Sequence, residues 1–163
     1  MKHLILIRHA KSSWDNPLQK DFDRPLNDRG IRDAPVMAKR LKDKKVEIDA
    51  FISSPAVRAL ETAQYFAEAY DLKRKDIIQE KDLYHASADA LFDFVTQLDD
   101  ANNNVAVFTH NPGLTEFATE LTTVNIDNVP TCGIFAIKLN AESWKDFGEA
   151  EKKFWFFDYP KND

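Results

Sequence analysis

Short apolar runs alternate with amphipathic stretches along most of the chain. The clearest runs are 4–7, 50–53 and 105–109, and each has the continuous apolar character of a strand buried on both faces of a parallel sheet. Between these runs, apolar residues recur at the three- and four-residue spacing of helices. This alternation predicts an α/β fold, a three-layer α/β/α sandwich around a mainly parallel central sheet, with the run 4–7 at its centre.

Weaker segments complete the predicted sheet and leave one long connection. Residues 76–80 are interpreted as a third strand, and 133–139 and 153–158 as two late strands that are antiparallel or lie at an edge. Residues 11–26 are polar, aromatic and without periodicity, so we interpret them as a loop that could overhang a site. Long ordered loops are usually functional.

Capping residues and prolines predict where three of the helices begin. The dipeptides Ser54-Pro55 and Asn111-Pro112 each have the form of an N-cap followed by a first helical residue. Ser87 has the form of an N-cap in front of another amphipathic stretch. Each of these three helices is therefore expected to follow a strand after a short connection.

The helix that follows Asn27 contains a proline. Apolar residues, among them Ile31, Ala34 and Leu41, recur along this segment at helical spacing and are expected to form its buried stripe. Proline within a helix removes one backbone hydrogen bond and clashes with the preceding turn. We therefore expect Pro35 to kink this helix or to delay its start.

Length and charge limit the function classes. The chain has 163 residues and no linker, repeat or low-complexity tract, which predicts one domain over residues 1–163. The net charge of −5 argues against broad binding to nucleic acid or to an anionic membrane. The apolar part of the N-terminus is too short for a signal peptide or a membrane span. We expect a cytoplasmic enzyme or binding domain, with a monomer favoured.

The counts of cysteine, histidine and glycine exclude several kinds of site. The single Cys132 allows no internal disulfide, and with four histidines it leaves no thiolate zinc cluster. Four glycines at these spacings exclude both a Walker loop and a dinucleotide-binding fingerprint. A phosphate group would therefore have to be held by another device.

Polar side chains at the ends of the predicted strands supply such a device. Arg8-His9 and Thr109-His110 follow two buried strands, and Arg58 lies in the first turn of a predicted helix. Ligands of open α/β sheets bind beyond the carboxyl ends of the strands, and guanidinium groups match the oxygens of a phosphate. Taken singly, each of these residues could be an ordinary surface side chain. An arginine in a first turn opposes the helix dipole, however, and a bound anion would compensate it.

Three segments together resemble the histidine phosphatase superfamily in order and spacing. They are Leu6–Ala10, Ser53–Ala63 and Thr109–Pro112. The short chain resembles the SixA-type bacterial phosphohistidine phosphatases, which lack the insertions of phosphoglycerate mutases and acid phosphatases. The resemblance spans nearly the whole chain and implies a phosphoglycerate mutase-like fold. Ala10 departs from the commonest motif of the family, which has glycine at this position.

The resemblance also implies a mechanism. His9 would attack phosphorus and become a covalent phosphohistidine that water later hydrolyses, while Arg8, Arg58 and His110 would hold the phosphoryl oxygens. Phosphoryl transfer depends mainly on positioning and on charge around those oxygens, so no metal and no cofactor are expected. His9 must be neutral at the attacking nitrogen, which requires an acceptor for its other nitrogen. That acceptor is not identifiable from the sequence.

Further candidates lie near these motifs. Ser12, Ser13 and Asn111 are candidate phosphate contacts. The segment that contains Asp82 follows the third predicted strand and resembles the proton-donor segment of the family. This resemblance makes Asp82 a candidate proton donor, with His85 and Glu80 as poorer ones. A solvated surface position is the competing interpretation for Ser12, Ser13 and Asp82.

The implied partner is a phosphorylated protein that carries phosphohistidine, with neither nucleic acid nor a membrane involved. A small-molecule phosphomonoesterase acting on a sugar or nucleotide phosphate is the nearest alternative, because the same four residues would serve either leaving group. A phosphate-binding module without catalysis is a third interpretation. A protein-interaction domain that uses Trp14, Phe22 and the aromatic stretch 154–159 is the alternative of the same class.

Overall fold

The chain folds around one six-stranded sheet, seen in a computed structural model that describes residues 1–162. The strands are β1 (Lys2–Arg8), β2 (Ala50–Ser53), β3 (Ile78–Gln79), β4 (Asn104–Thr109), β5 (Ile134–Asn140) and β6 (Glu151–Asp158). Their order is β3-β2-β4-β1-β5-β6. Strands β1 to β4 are parallel, β5 is antiparallel to β1, and β6 is antiparallel to β5. The predicted α/β sandwich is confirmed, and β1 is one of its two central strands. Asp163, the last residue of the predicted domain, lies outside the described residues.

Four helices cover the two faces of the sheet. They are α1 (Asp28–Asp43), α2 (Val57–Ala69), α3 (Ala88–Thr96) and α4 (Gly113–Leu121). Successive residues of β1 point to opposite faces, so Leu4 and Leu6 pack with α3 and α4, whereas Ile5 and Ile7 pack with α1 and α2. Each such side chain contributes about 1.5–3 kcal/mol when fully buried. None of the helices in residues 1–162 combines the length and apolar character needed to cross a membrane.

Pro35 disturbs helix α1 less than the sequence predicts. The helix begins directly after Asn27, whose side chain accepts a hydrogen bond from the Gly30 N–H at 2.9 Å, so Pro35 does not delay the start. Pro35 and Ile31, one turn apart, both lie on the exposed face of the helix. The carbonyl that loses its partner to Pro35 can therefore bind water. The prediction that Ile31 is buried is wrong, since its exposed fraction is 45%.

The two helices that were predicted to begin at a proline begin one or two residues later. α2 begins at Val57 and α4 at Gly113, so neither Pro55 nor Pro112 is the first helical residue. The N-cap of α4 is Pro112, but the Asn111 Oδ1 still accepts a hydrogen bond from the first turn, from the Thr115 N–H at 3.1 Å. Ser87 caps α3 as predicted, accepting from the Ala90 N–H. The third strand is shorter than predicted, because only Ile78–Gln79 pair with β2.

Candidate active site

The carboxyl ends of β1 and β4 and the first turn of α2 surround a cavity of about 390 Å³. Parallel pairing places Arg8 opposite Thr109, so the two histidines that follow leave the sheet side by side. The ring centroids of His9 and His110 lie 5.1 Å apart. Arg58, in the first turn of α2, also lines the cavity. The four residues that the sequence predicts to converge therefore do so.

His9 is held in one tautomer by the backbone. Its Nδ1 lies 2.8 Å from the Ala10 carbonyl oxygen, which can only accept, so Nδ1 carries the hydrogen. Burial lowers the pKa of His9 to about 3, opposed by the bond to Ala10 and assisted by the charges of Arg58 and Arg8. The ring is therefore neutral near pH 7, and its Nε2 carries no hydrogen. The electron pair of this nitrogen accepts a hydrogen bond from the Arg58 Nε at 3.4 Å.

His110 is held in the opposite tautomer by a side chain. Its Nε2 lies 2.7 Å from the Ser54 Oγ, which already accepts a hydrogen bond from the Ala56 N–H. Within residues 1–162 the Ser54 Oγ makes no other hydrogen bond, so Nε2 is the acceptor available to its hydroxyl hydrogen. We therefore assign the hydrogen of the neutral ring to Nδ1. Burial, followed by the proximity of His9 and Arg58, lowers the pKa of His110 to about 2. The buried Nδ1 has no hydrogen-bond partner within residues 1–162.

Two arginines contribute further donors. Arg8 donates from Nη1 to the Val129 carbonyl oxygen at 3.1 Å, and its buried Nε has no partner in the described part of the chain. Arg58 is only 4% exposed and donates from Nη1 and Nη2 to the carbonyl and the carboxylate of Asp21, at 2.7 and 3.0 Å. The unfavourable position of Arg58 at a helix N-terminus is thus compensated by a carboxylate of the protein itself.

The loop over residues 11–26 covers the cavity and supplies two residues that the sequence did not identify. Arg24 is buried against the ring of Trp14, with its guanidinium carbon 3.6 Å from the ring centroid. It donates to Asp21 Oδ1 from Nε and Nη2, at 3.1 and 3.0 Å. Asp21 and Arg24 lie three residues apart, and this spacing of opposite charges in a short 3-10 turn (Asp21–Asp23) was the available signal.

The candidate phosphate contacts are placed differently from one another. Ser12 and Asn111 line the cavity. The Ser12 Oγ accepts from Arg24 at 2.6 Å, and the Asn111 amide bonds to Asn128 and to the Val129 carbonyl. Ser13 does not line the cavity, and its Oγ accepts from a backbone N–H in the exposed part of the loop. Ser12 and Asn111 are thus brought to the site, and Ser13 is not.

The candidate proton donor Asp82 also lies apart from the two buried histidines. It is exposed and lines a neighbouring cavity of about 850 Å³, together with Glu80. His85 lines both this cavity and the one that contains His9. The structure therefore brings His85 to the site, but neither Asp82 nor Glu80.

Positive charge at the site comes from side chains. Arg8, Arg24 and Arg58 all line the cavity, in a chain with a net charge of −5. In the region that the structure describes, no group of three or more His, Cys, Asp or Glu side chains is arranged to hold a metal ion. The site combines an imidazole nitrogen that carries a lone pair, an imidazole N–H and guanidinium donors. Such groups can attack a phosphoryl group and stabilise the negative charge on its oxygens.

Comparison with known proteins agrees with this chemistry. The family model of the histidine phosphatase superfamily (branch 1) matches residues 4–90. A 2,3-bisphosphoglycerate-dependent phosphoglycerate mutase of Staphylococcus epidermidis is 38% identical over 73 residues, which cover 44% of this chain and 32% of the mutase. The match therefore spans about a third of that enzyme.

Two solved structures share the fold over 98% of both chains, with a TM-score of 0.82 and 22% sequence identity. One is a candidate phosphohistidine phosphatase SixA of Agrobacterium tumefaciens. The other is the protein histidine phosphatase SixA complexed with tungstate. At 22% identity this likeness shows the fold alone.

Proposed function

Because the chain belongs to branch 1 of the histidine phosphatase superfamily, we propose that it is a phosphatase that removes the phosphoryl group from phosphohistidine in proteins. The observation that carries this proposal is the fixed tautomer of His9. A buried, neutral imidazole presents Nε2 in a cavity lined by three arginines. Such a nitrogen is a nucleophile at neutral pH and needs no separate base.

In the first half of the reaction, His9 Nε2 attacks phosphorus and the bond to the leaving group breaks. Arg8, Arg58 and the Nδ1–H of His110 stabilise the charge on the equatorial oxygens. The ring of His9 becomes a cation when Nε2 is bonded to phosphorus. The Ala10 carbonyl, 2.8 Å from Nδ1, accepts the hydrogen bond that stabilises this cation.

In the second half, water attacks the phosphorus of phospho-His9 and phosphate leaves. The electron pair of the broken bond returns to Nε2, so that His9 regains its neutral form. The same arginines hold the oxygens in both halves, because both pass through the same geometry at phosphorus. Charge provided by fixed guanidinium groups needs no reorganisation between the two steps.

Asp21 is held in its ionised form and is therefore not the proton donor of this site. Burial acts to raise the pKa of this carboxyl, but hydrogen bonds from Tyr84 and Arg24 and the charge of Arg58 hold it well below its usual range. A carboxylate in that state does not protonate an alkoxide, which is the poor leaving group of a sugar phosphate. Imidazole is a far better leaving group. The SixA proteins whose fold this chain shares are named for action on phosphohistidine or protein histidine.

A small-molecule phosphomonoesterase is the second candidate. The larger cavity beside the site has a volume of about 850 Å³ and contains Glu80, Lys81 and Asp82. Polar groups of both charges beside a phosphate site are suited to binding a small metabolite.

The two candidates are separated by phosphate release from a phosphohistidine-bearing protein and from a panel of sugar and nucleotide phosphates. The proposal predicts the highest kcat/KM for the phosphohistidine protein, and it fails if the metabolites are preferred. Hydrolysis is expected to persist after treatment with a chelator, and loss that a divalent ion restores would contradict the proposed mechanism. Orthovanadate at a hundred times its Kd is expected to stabilise the fold by about 2.7 kcal/mol.

A further inference from the structure

His85 lies where the two cavities meet. It lines the cavity of His9 and also the larger cavity of about 850 Å³ beside it. Its side chain is 65% exposed, and its ring centroid lies 6.4 Å from that of His110. Among the described residues, His85 is the one that lines both cavities.

The residue is held there by local structure. The φ angle of His85 is 57°, in the left-handed region that non-glycine residues rarely adopt. Its ring centroid lies 4.0 Å from that of Tyr84, whose hydroxyl donates to Asp21 Oδ2 at 2.7 Å. The His85 Nε2 lies 3.8 Å from the same carboxylate oxygen. Backbone strain of this kind persists where the surroundings enforce it, and it is concentrated at functional sites.

Other titratable groups that line the cavity of His9 are unsuited to giving a proton to a leaving group or taking one from water. Two are the buried imidazoles of His9 and His110, whose low pKa values keep them neutral at pH 7. The carboxylate of Asp21 stays ionised at pH 7 because hydrogen bonds and positive charge hold its pKa down. An imidazole is the side chain that ordinarily gains and loses a proton near neutrality.

We propose that His85 is the catalytic acid and base of this site, protonating the leaving group and then accepting a proton from the attacking water. This inference rests on the proposed phosphatase function and identifies a residue for it. Asp21 acts as its positioning residue, because its Oδ2 lies 3.8 Å from the His85 Nε2 and also accepts from the hydroxyl of Tyr84, on which the His85 ring packs.

Protons and electron pairs are conserved over the two steps. As His9 Nε2 bonds to phosphorus, the bond to the leaving nitrogen or oxygen breaks, and that atom takes its electron pair and a proton from the His85 imidazolium. His85 is then neutral. Water next bonds to phosphorus and gives one proton to His85, while the electron pair of the phosphorus–nitrogen bond returns to His9. Each turnover therefore restores both histidines.

Several other charged or titratable groups face His85. Asp21 comes from the loop over the site, Tyr84 from the preceding position, and His110 from the end of β4. The larger cavity adds Glu80, Lys81 and Asp82.

The test compares His85→Asn with wild type on aryl phosphates of graded leaving-group quality. Asparagine tolerates the left-handed backbone, so the substitution preserves the turn. With phenyl phosphate, a poor leaving group, kcat/KM is expected to fall by about 10²-fold or more, the usual range for a general acid. With 4-nitrophenyl phosphate, which needs no proton, the loss is expected to stay under about threefold.

Two controls distinguish catalysis from structure. Asp82→Asn changes a neighbouring exposed residue of the same cavity and should affect both aryl phosphates by less than about threefold. Asp21→Asn should lower kcat/KM for phenyl phosphate more than for 4-nitrophenyl phosphate, because it frees the ring that donates the proton. This selective effect should be absent when His85 is already asparagine.

Equal losses on both aryl phosphates, or no loss on phenyl phosphate, would overturn the assignment of His85. The proposed function fails by a different measurement, namely the absence of hydrolysis of the phosphohistidine protein by wild type. Since the aryl series requires only phosphatase activity, the two failures are distinguishable.

Discussion

His9 and His110 follow the neighbouring parallel strands β1 and β4 and lie in one cavity, yet a different kind of group forms a hydrogen bond with each ring. Both are buried, and burial is the main reason why the pKa of each is low. A backbone carbonyl fixes His9 with its hydrogen on Nδ1, whereas a serine hydroxyl fixes His110 with its lone pair on Nε2. The hydrogen-bond partner of one ring nitrogen therefore decides whether the other nitrogen presents an electron pair or an N–H to the cavity.

The largest effect is expected at His9. His9→Ala should abolish the acid-labile, base-stable phosphoryl label that wild type acquires from a labelled substrate, because the only proposed acceptor nitrogen is gone. His110→Ala should still be labelled, although slowly, since it removes a donor and not the nucleophile. Label that persists in His9→Ala would erase the difference between the two histidines.

Removal of donors should have the next largest effect. His110→Ala and Arg8→Ala should each lower kcat by about 10²–10³-fold, as the loss of one donor to a transition state typically does. Steady-state kinetics measures this, and circular dichroism verifies the fold. A folded variant with nearly normal kcat would remove that residue from the proposed transition-state contacts.

The two histidines should also make the fold sensitive to acid. Their folded pKa values of about 3 and about 2 lie below the ordinary value, so the unfolded chain binds protons first as the pH falls. Stability is therefore lost below pH 6.5, by about 2 kcal/mol per histidine at pH 5. Urea unfolding of His110→Gln at pH 7 and pH 5 should show a smaller loss than wild type. An equal loss would mean that His110 is protonated in the folded chain.

A smaller effect is expected from removing the Ser54 hydroxyl, which forms a hydrogen bond with the ring of His110. Ser54→Ala removes the hydroxyl that fixes its tautomer, and kcat should fall by about tenfold, at the lower end of what such supporting hydrogen bonds contribute. Nitrogen NMR of the imidazole should show the hydrogen redistributed between Nδ1 and Nε2. An unchanged tautomer in Ser54→Ala would show that another group sets it.

The smallest effect is expected at Asp82. Asp82→Asn should leave hydrolysis of phosphohistidine within a few-fold of wild type, because this exposed carboxylate lies outside the cavity of His9. The kcat/KM for a phosphohistidine protein measures it. A loss of about 10²-fold would restore Asp82 as a proton donor.

The sequence predicted the parts of the site that follow from regular structure. Continuous apolar runs located β1 and β4, and parallel strands place their carboxyl ends at one edge, so Arg8, His9 and His110 could be expected together. The position of Arg58 followed from the first turn of a helix, even though α2 begins later than Ser54-Pro55 suggests.

The parts that could not be predicted depend on irregular backbone and on hydrogen-bond direction. Residues 11–26 have no periodicity, so nothing in the sequence indicated that Asp21 would reach Arg58 or that Arg24 would stack on Trp14. Ser54 had the form of an N-cap, yet its hydroxyl also bonds to His110. Such contacts are decided by side-chain rotamers in the folded chain, which apolar spacing does not specify.

The hydrogen bond from His9 to the Ala10 carbonyl makes the nucleophile robust to mutation. Every amino acid has this carbonyl, so no change of side chain at position 10 can delete the acceptor. Glycine, which the commonest motif of the family has here, and the alanine of this chain are equivalent in this respect. His110 depends on the side chain of Ser54, which a single base change can remove. Inherited variation is therefore expected to alter how phosphate oxygens are held before it alters which nitrogen attacks.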